Sequence, residues 1–359
     1  MTDAPASLGD VVNLHDFEAI ARERLDPGAY GYYSSGAADE RTLADNLAAW
    51  SEWRLLPRVL TGSRRPELRT TFLGSESSTP FAIAPTALHG LAHPEGELAT
   101  ARAAAAAGTL FTLSTASTRT IEAVADASGD GPRWFQLYVE HDLGYAHELV
   151  SRAEAAGYGA IVLTVDLPLA GYRERDLRNR FAVPAAIQAH LPASVDTEQP
   201  FTHYIDTKPE LRWDDVATIA SWTRLPLVLK GILAPDDVDR AVDHGARGII
   251  VSNHGGRQLD GVVTAPQVLP QIVEAAAGRV EVFADGGIRR GSDVLVALAL
   301  GARGVFIGRP ILYALAAAGE AGVGRAIELL TEEMRRGLTL LGVGSVAEVT
   351  PGHVRPAHG

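Results

Sequence analysis

The chain has 359 residues, enough for one large domain or two smaller ones, and its 46% hydrophobic content is that of a globular protein with a sizeable core. A formal charge of -12 with no Lys/Arg block disfavours sequence-independent nucleic-acid binding and adhesion to an anionic membrane. The absence of cysteine excludes disulfides, thiolate nucleophiles and Cys-ligated zinc or iron–sulfur centres, and fits a reducing cytoplasm.

Taken in chain order, Met1 to Asp10 shows neither the basic stretch nor the apolar run of a signal peptide. Amphipathic spacing predicts helices around Asp16–Leu25 and Glu40–Trp50. Residues 1–75 are therefore expected to form a helical segment packed as a cap on a domain spanning 76–359. Eight short apolar runs follow: Phe81–Ala84, Thr109–Leu113, Trp134–Leu137, Ala160–Val165, Pro226–Leu229, Gly248–Val251, Val280–Ala284 and Gly304–Ile307. Most are separated by Ala-rich stretches with helical spacing. Pro94-Glu95-Gly96-Glu97 and Ala234-Pro235-Asp236-Asp237 read as helix openings with acidic first turns. Gly108, Gly157, Gly245 and Gly301 fall where helices should stop. Ala103–Ala107 is too short to cross a bilayer.

Strand and helix alternating eight times predict a closed parallel (β/α)8 TIM barrel. A doubly wound open sheet is the alternative, but Pro85-Thr86-Ala87 is not the Gly-rich turn such a sheet carries after its first strand. One connection breaks the rhythm. Residues 168–224, after the fourth run, form a long loop expected to be a partly mobile excursion of the lid type.

Barrels build their active sites at the C-terminal strand ends, and here every end carries polar chemistry. The ends read Pro85-Thr86-Ala87, Ser114, Gln136 with Tyr138, Thr164 with Asp166, Lys230, Ser252 with His254 and Arg257, Asp285-Gly286-Gly287, and Gly308-Arg309. The block Ser252–Asp260 is the most informative. It joins hydrogen-bonding groups, a proton acceptor (His254) and a guanidinium fork for a carboxylate (Arg257) to glycines that allow a tight turn. A base beside an anion clamp suits chemistry on a small carboxylic acid. The last two ends, with Arg289, pair exposed backbone N–H groups with arginines and suit a phosphate. Lys230 closes an apolar strand, where its ammonium could stabilise negative charge on a cofactor or act as a Schiff-base nucleophile. Asp166 could fix the tautomer of His254 or cap a turn.

These residues resemble the FMN-dependent 2-hydroxy acid oxidizing family, which includes glycolate oxidase and lactate oxidase. Tyr32-Tyr33-Ser34-Ser35-Gly36-Ala37, Pro85-Thr86-Ala87, His93-Pro94-Glu95-Gly96-Glu97, Phe135-Gln136-Leu137-Tyr138, Leu163-Thr164-Val165-Asp166, Ser252–Asp260, Asp285–Arg290 and Gly308-Arg309-Pro310 stand in family order over nearly the whole chain. The resemblance implies FMN as cofactor and no metal. It implies that Pro85, Thr86 and Ala87 line the flavin and that Ser114, Gln136, Thr164 and Ser252 hydrogen-bond its ring, with Tyr138 beside it. Lys230 would stabilise the reduced flavin, which decides between its two readings. Asp285, Gly286, Gly287, Arg289, Gly308 and Arg309 would hold the phosphate. Tyr32, Tyr138, Arg173 and Arg257 would surround the substrate, with His254 as base and Asp166 behind it.

The expected reaction is oxidation of an (S)-2-hydroxy acid to a 2-oxo acid, His254 taking a proton from the hydroxyl or from Cα. O2 is the expected acceptor, giving H2O2. The alternatives are a dehydrogenase using a quinone, a non-redox FMN barrel isomerase, a Schiff-base aldolase and a phosphate-ligand binding protein. The family likeness further implies a homotetramer, while the missing signal peptide, the lack of a membrane-length apolar run and the acidic charge balance make a cytoplasmic protein without nucleic-acid or membrane partners the expectation. Three residues depart from the glycolate oxidase pattern: Ala116 replaces a bulky Trp, Leu88 a Met, and Tyr172 stands where a basic residue is common. Loss of the indole implies a roomier pocket and a substrate larger than glycolate, such as lactate or a longer-chain or aromatic acid.

Overall fold

Eight parallel strands, each hydrogen-bonded to the next, close into a barrel in the computed structural model, which describes residues 7–62, 65–139, 143–183, 189–190 and 210–357. The strands are β1 (Phe81–Ile83), β2 (Phe111–Ser114), β3 (Arg133–Leu137), β4 (Ile161–Thr164), β5 (Leu227–Ile232), β6 (Ala246–Val251), β7 (Glu281–Asp285) and β8 (Gly304–Ile307), one for each apolar run. Their order is sequential and β8 pairs back onto β1, Val305 opposite Phe81, which rules out the open sheet. Burial on both faces explains why the runs are apolar without alternation. Ala82, Val162, Val228, Ile250, Phe283 and Phe306 point into one buried cluster, while Ile83, Leu163, Leu229, Ile249 and Val305 belong to a larger one shared with the helices.

Phe72 fills the barrel towards the strand starts. It arrives from a short antiparallel hairpin, Thr70–Phe72 against Ser75–Ser77, and stacks on Phe283 at 5.3 Å. Trp134 lies edge-on to Phe72 at 6.1 Å and donates its indole N–H to Ser75 Oγ at 3.0 Å. An aromatic floor of this kind leaves the strand C-terminal ends as the open face.

Before the barrel come α1 (Asp16–Arg24), α2 (Pro27–Ser34) and α3 (Arg41–Ala48). The segment also contains strands, which periodicity did not indicate. One of them, Trp53–Leu55, pairs antiparallel with Val354–Pro356 near the end of the chain. The outer helices are α4 (Glu97–Ala107), α5 (Ile121–Ser128), α6 (Leu143–Ala155), α7 (Glu174–Arg178), α8 (Trp213–Ser221), α9 (Asp237–Asp243), α10 (Ala265–Ala276), α11 (Gly291–Ala299) and α12 (Arg309–Leu341), the last broken at Ala318–Gly319. The four glycines expected to end helices all have positive φ. Glu97 does more than the sequence indicated. It stands in the first turn as expected, and its buried carboxylate in addition accepts from the backbone N–H groups of His89 and Thr118, at 3.0 and 2.9 Å, tying two loops together.

The long connection after β4 is present, since β5 opens only at Leu227. Residues 184–188 and 191–209 lie outside the described residues, and the expectation of a mobile lid falls largely on them. Among the described residues no helix is long and apolar enough to cross a membrane.

Candidate active site

A cavity enclosing about 940 Å³ opens at the strand C-terminal ends. Its wall includes Tyr32, Pro85, Thr86, Ala87, Tyr138, Arg173, Lys230, His254, Arg257, Asp285, Gly286, Gly287, Arg289, Gly308 and Arg309, all anticipated from the sequence. Ser114, Gln136, Thr164, Ser252 and Asp166 are not part of the wall but are hydrogen-bonded to one another or to it. Ser114 Oγ donates to Gln136 Oε1 at 2.9 Å, and Gln136 Nε2 donates to Thr164 Oγ1 at 3.0 Å. Lys230 Nζ donates to Ser252 Oγ at 2.9 Å and lies 3.4 Å from Asp285 Oδ2, so its buried charge is paired.

The chain turns sharply after β6. His254, Gly255 and Gly256 have φ of 57, 64 and 75°, three consecutive left-handed residues. This aims the imidazole into the cavity, where its Nδ1 lies 3.0 Å from Asp166 Oδ1. Asp166 is thus the partner of His254 and not merely a turn cap. Gly231, at φ +114°, makes room for it, because a Cβ there would lie 2.5 Å from Asp166 Cβ. A carboxylate accepts only, so Nδ1 carries the proton and Nε2, without a partner among the described residues, presents a lone pair. Burial lowers the His254 pKa below its ordinary value, against the upward pull of Asp166. Burial works the other way on Asp166, but His254 and Lys230 outweigh it and hold the carboxyl below its usual range. The ring is therefore a neutral base at pH 7.

Four guanidiniums meet the cavity, and among the described residues none has a carboxylate within 4.0 Å. Arg257 donates to the carbonyls of Tyr32 and Ser35, at 2.5 and 3.1 Å, and sits 4.7 Å above the Tyr32 ring. Arg173 donates to the Arg257 carbonyl and to Gln258 Oε1, both at 3.3 Å. Arg309 donates to the carbonyls of Tyr33 and Ser35, at 2.9 and 2.8 Å. Arg289 reaches only the carbonyl of Ile288. Burial pulls Arg173 and Arg309 down to about 10, with neighbouring guanidiniums adding to the effect. Cations buried without counter-charges are costly unless a ligand supplies them, so the cavity is built to receive anions.

The same set fits flavin mononucleotide. Asp285 Oδ1 is buried without a partner, Gly286 and Gly287 turn their backbone at φ 91 and 78°, and Arg289 and Arg309 stand ready for a phosphate. Ala84, Pro85, Ala87 and Gly308 give the small-residue wall that a planar ring requires.

Several contributors were not singled out from the sequence. Tyr33 lines the cavity and donates its hydroxyl to the Leu88 carbonyl at 2.5 Å; its place beside Tyr32 on α2 was the available signal. Asp176, on α7, has both carboxylate oxygens buried without a partner among the described residues. Burial raises its pKa, opposed by the charges of Arg257 and Arg173. No local pattern marks it. Of the three departures from the glycolate oxidase pattern, only Ala116 faces the cavity; Leu88 is buried outside its wall and Tyr172 is 66% exposed.

The chain is similar to known proteins over nearly its whole length. Residues 21–356 match the family model described as FMN-dependent dehydrogenase. The chain is 46% identical over 354 residues to glycolate oxidase of Spinacia oleracea, covering 96% of each protein. It is 45% identical over 356 residues to L-lactate oxidase of Nostoc sp. (strain PCC 7120), covering 96% of this chain and 98% of that one. A solved structure of mandelate oxidase superposes with a TM-score of 0.89 at 43% identity, covering 96% of this chain and 98% of the other.

Proposed function

Since the chain belongs to the FMN-dependent dehydrogenase family and oxidises 2-hydroxy acids with FMN as cofactor, we propose how its own residues divide that work and which acids it takes. The observation that carries the reading is the His254–Asp166 pair at 3.0 Å, set beside guanidiniums that have no carboxylate partner among the described residues.

Arg257 and Arg173 hold the substrate carboxylate, with Tyr32 packed under Arg257. Burial keeps the Tyr138 phenol protonated, so it is a hydrogen-bond donor to the substrate. His254 Nε2 takes a proton from the bound acid, and Asp166 stabilises the imidazolium so formed. Gly286, Gly287, Arg289, Gly308 and Arg309 hold the phosphate of FMN, and Asp285, an acceptor, takes a hydroxyl of its ribityl chain. Pro85, Thr86 and Ala87 line its ring, and Ser114, Gln136, Thr164, Ser252 and Lys230 meet its polar edge. FMN bound there supplies the acceptor for the two electrons that leave the substrate carbon. Fixing the carboxylate on one side and the base on the other selects one enantiomer, and we assign the (S) form, in keeping with a mandelate oxidase variant solved with (S)-mandelic acid.

The preferred substrate is larger than glycolate, because Ala116 leaves the wall open where an indole would fill it. O2 is the proposed acceptor, on the names of the oxidases this chain is similar to. We further propose a cytoplasmic homotetramer, the first on the lack of cysteine and the second on the family resemblance. The deciding experiment mixes the holoenzyme anaerobically with glycolate, lactate, 2-hydroxyoctanoate and mandelate, follows bleaching of the flavin band, and then adds O2 or a quinone. Bleaching with faster turnover on the larger acids, and return of colour with O2, are expected. A clear preference for glycolate overturns the substrate assignment, and failure of every acid to bleach the flavin overturns the roles given to His254 and Arg257.

A further inference from the structure

The residue before the proposed base is held by the N-terminal segment. Asn46 on α3 and Asn253 after β6 exchange two side-chain hydrogen bonds: Asn46 Nδ2 donates to Asn253 Oδ1 at 2.9 Å, and Asn253 Nδ2 donates to Asn46 Oδ1 at 2.8 Å. The pair lies 207 positions apart in sequence, and the residues are 2% and 5% exposed. Asn253 uses its remaining capacity on the turn itself. Its Oδ1 also accepts from Gly256 N at 3.1 Å, and its Nδ2 also donates to the Val263 carbonyl at 3.1 Å. All its amide capacity is spent, and a buried amide satisfied in this way has one orientation.

That orientation matters because the turn it spans is conformationally unfavourable. His254 is left-handed, a region that a residue with a Cβ adopts only at a cost. Two left-handed glycines follow it. Such a turn persists only where its surroundings over-determine it. The surroundings here are α3. Its first turn is capped from across the molecule by Asp260, which accepts from Thr42 N at 2.8 Å, and Thr42 Oγ1 in return accepts from Gly261 N at 2.8 Å. The Asn46 carbonyl packs so closely on Gly287 that a Cβ there would lie 1.8 Å away.

We propose that Asn46 is a positioning residue for His254, locking the left-handed turn through Asn253 and so setting the imidazole in its working orientation. The inference rests on His254 being the proton acceptor. Helix α3 is thereby a template against which the turn after β6 is formed, and the N-terminal segment takes part in the chemistry without touching the substrate.

The test uses the FMN-loaded enzyme and three variants, Asn46→Ala, Asn46→Asp and His254→Gln, with the double variant Asn46→Ala/His254→Gln. The first readout is the rate at which excess (S)-lactate bleaches the flavin anaerobically; the second is the FMN dissociation constant from fluorescence quenching. Asn46→Ala is expected to slow bleaching about a hundredfold, the scale of a misplaced reacting group, while the FMN constant stays within about threefold of the parent. Asn46→Asp keeps the shape and the acceptor for Asn253 Nδ2 and is expected to lose only about tenfold, so it decides the matter if the alanine variant does not fold. In the His254→Gln background, Asn46→Ala should cost nothing further, whereas a general structural role would multiply the two losses. Parent-like bleaching by Asn46→Asp, equal losses of rate and FMN affinity, or additive losses in the double variant overturns the proposal. A fast His254→Gln enzyme instead overturns the reading of His254 itself, and the two failures are told apart by that single variant.

Discussion

Replacing Asp166 by Asn tests the electrostatic core of the site with almost no change in shape. The carboxylate stands 3.0 Å from His254 Nδ1, and both side chains are about 15% exposed. At that separation and an effective dielectric constant of about 20, the attraction between carboxylate and imidazolium is about 5.5 kcal/mol. An amide retains a neutral hydrogen bond of about 1 kcal/mol, so about 4.5 kcal/mol of stabilisation is lost as the proton arrives on His254. This corresponds to about two thousandfold in rate. The sign of the pH effect follows from the same pair. Asp166 raises the His254 pKa against the larger lowering by burial, so without it the base protonates at still lower pH. The parent should show an acid limb of kcat/KM centred below 6.5, and Asp166→Asn should move that limb further down while lowering the plateau. Anaerobic stopped-flow bleaching with (S)-lactate, from pH 5 to 8, measures both. A variant within about tenfold of the parent, or a limb that moves upward, would refute the assignment of Asp166 as the partner that stabilises the imidazolium.

Ala116→Trp should fill the open wall, and the kcat/KM ratio of mandelate to glycolate should fall about a hundredfold, read from steady-state assays on both acids; an unchanged ratio removes Ala116 from the specificity wall. Arg309→Leu should weaken FMN binding by about a hundredfold or more in fluorescence titrations. The same variant should leave the melting temperature of the flavin-free protein no lower, because it removes a half-buried cation that lacks a carboxylate partner among the described residues. His190 is buried, and burial, reinforced by Arg152 against the opposing charge of Glu122, pushes its imidazole down to about 4. Its folded value is below its unfolded one, so its contribution to stability is complete above pH 6.5 and is lost as pH falls towards 4, about 3 kcal/mol in all. Urea titrations at pH 7 and pH 4.5 should show that loss, and His190→Leu should shrink it.

The barrel was legible because each strand writes its environment locally. Ile161–Thr164 and Gly304–Ile307 are buried on both faces, so they carry unbroken apolar runs that end in polar residues where the cavity begins. The ring of site residues was legible for the same reason, since strand register brings Ser114 opposite Gln136 and Thr164 opposite Lys230 without any long-range information. The N-terminal segment was harder to read because its meaning lies in its partners. Trp53–Leu55 is a strand only because Val354–Pro356 pairs with it, and three residues set no period of their own. Glu97 is the first-turn charge that the sequence indicated, but the two loop N–H groups its carboxylate also binds come from segments no local pattern connects to it.

Asn46 and Trp50 show most directly why local reading stopped at the edge of the barrel. In sequence they are unremarked members of an amphipathic stretch. In space Asn46 grips Asn253, and the Trp50 indole N–H donates to the Gly286 carbonyl at 2.9 Å. One helix therefore braces both the turn that carries the base and the glycines proposed to meet the phosphate. The turn after β6 depends on this bracing more, because its His254 is left-handed, a conformation rare outside glycine, whereas the turn after β7 uses glycines at its left-handed positions. The barrel supplies the positions of these two loops and the preceding segment supplies their conformations. The segment before β1 is thus joined to both proposed site loops by hydrogen bonds that span more than half the chain.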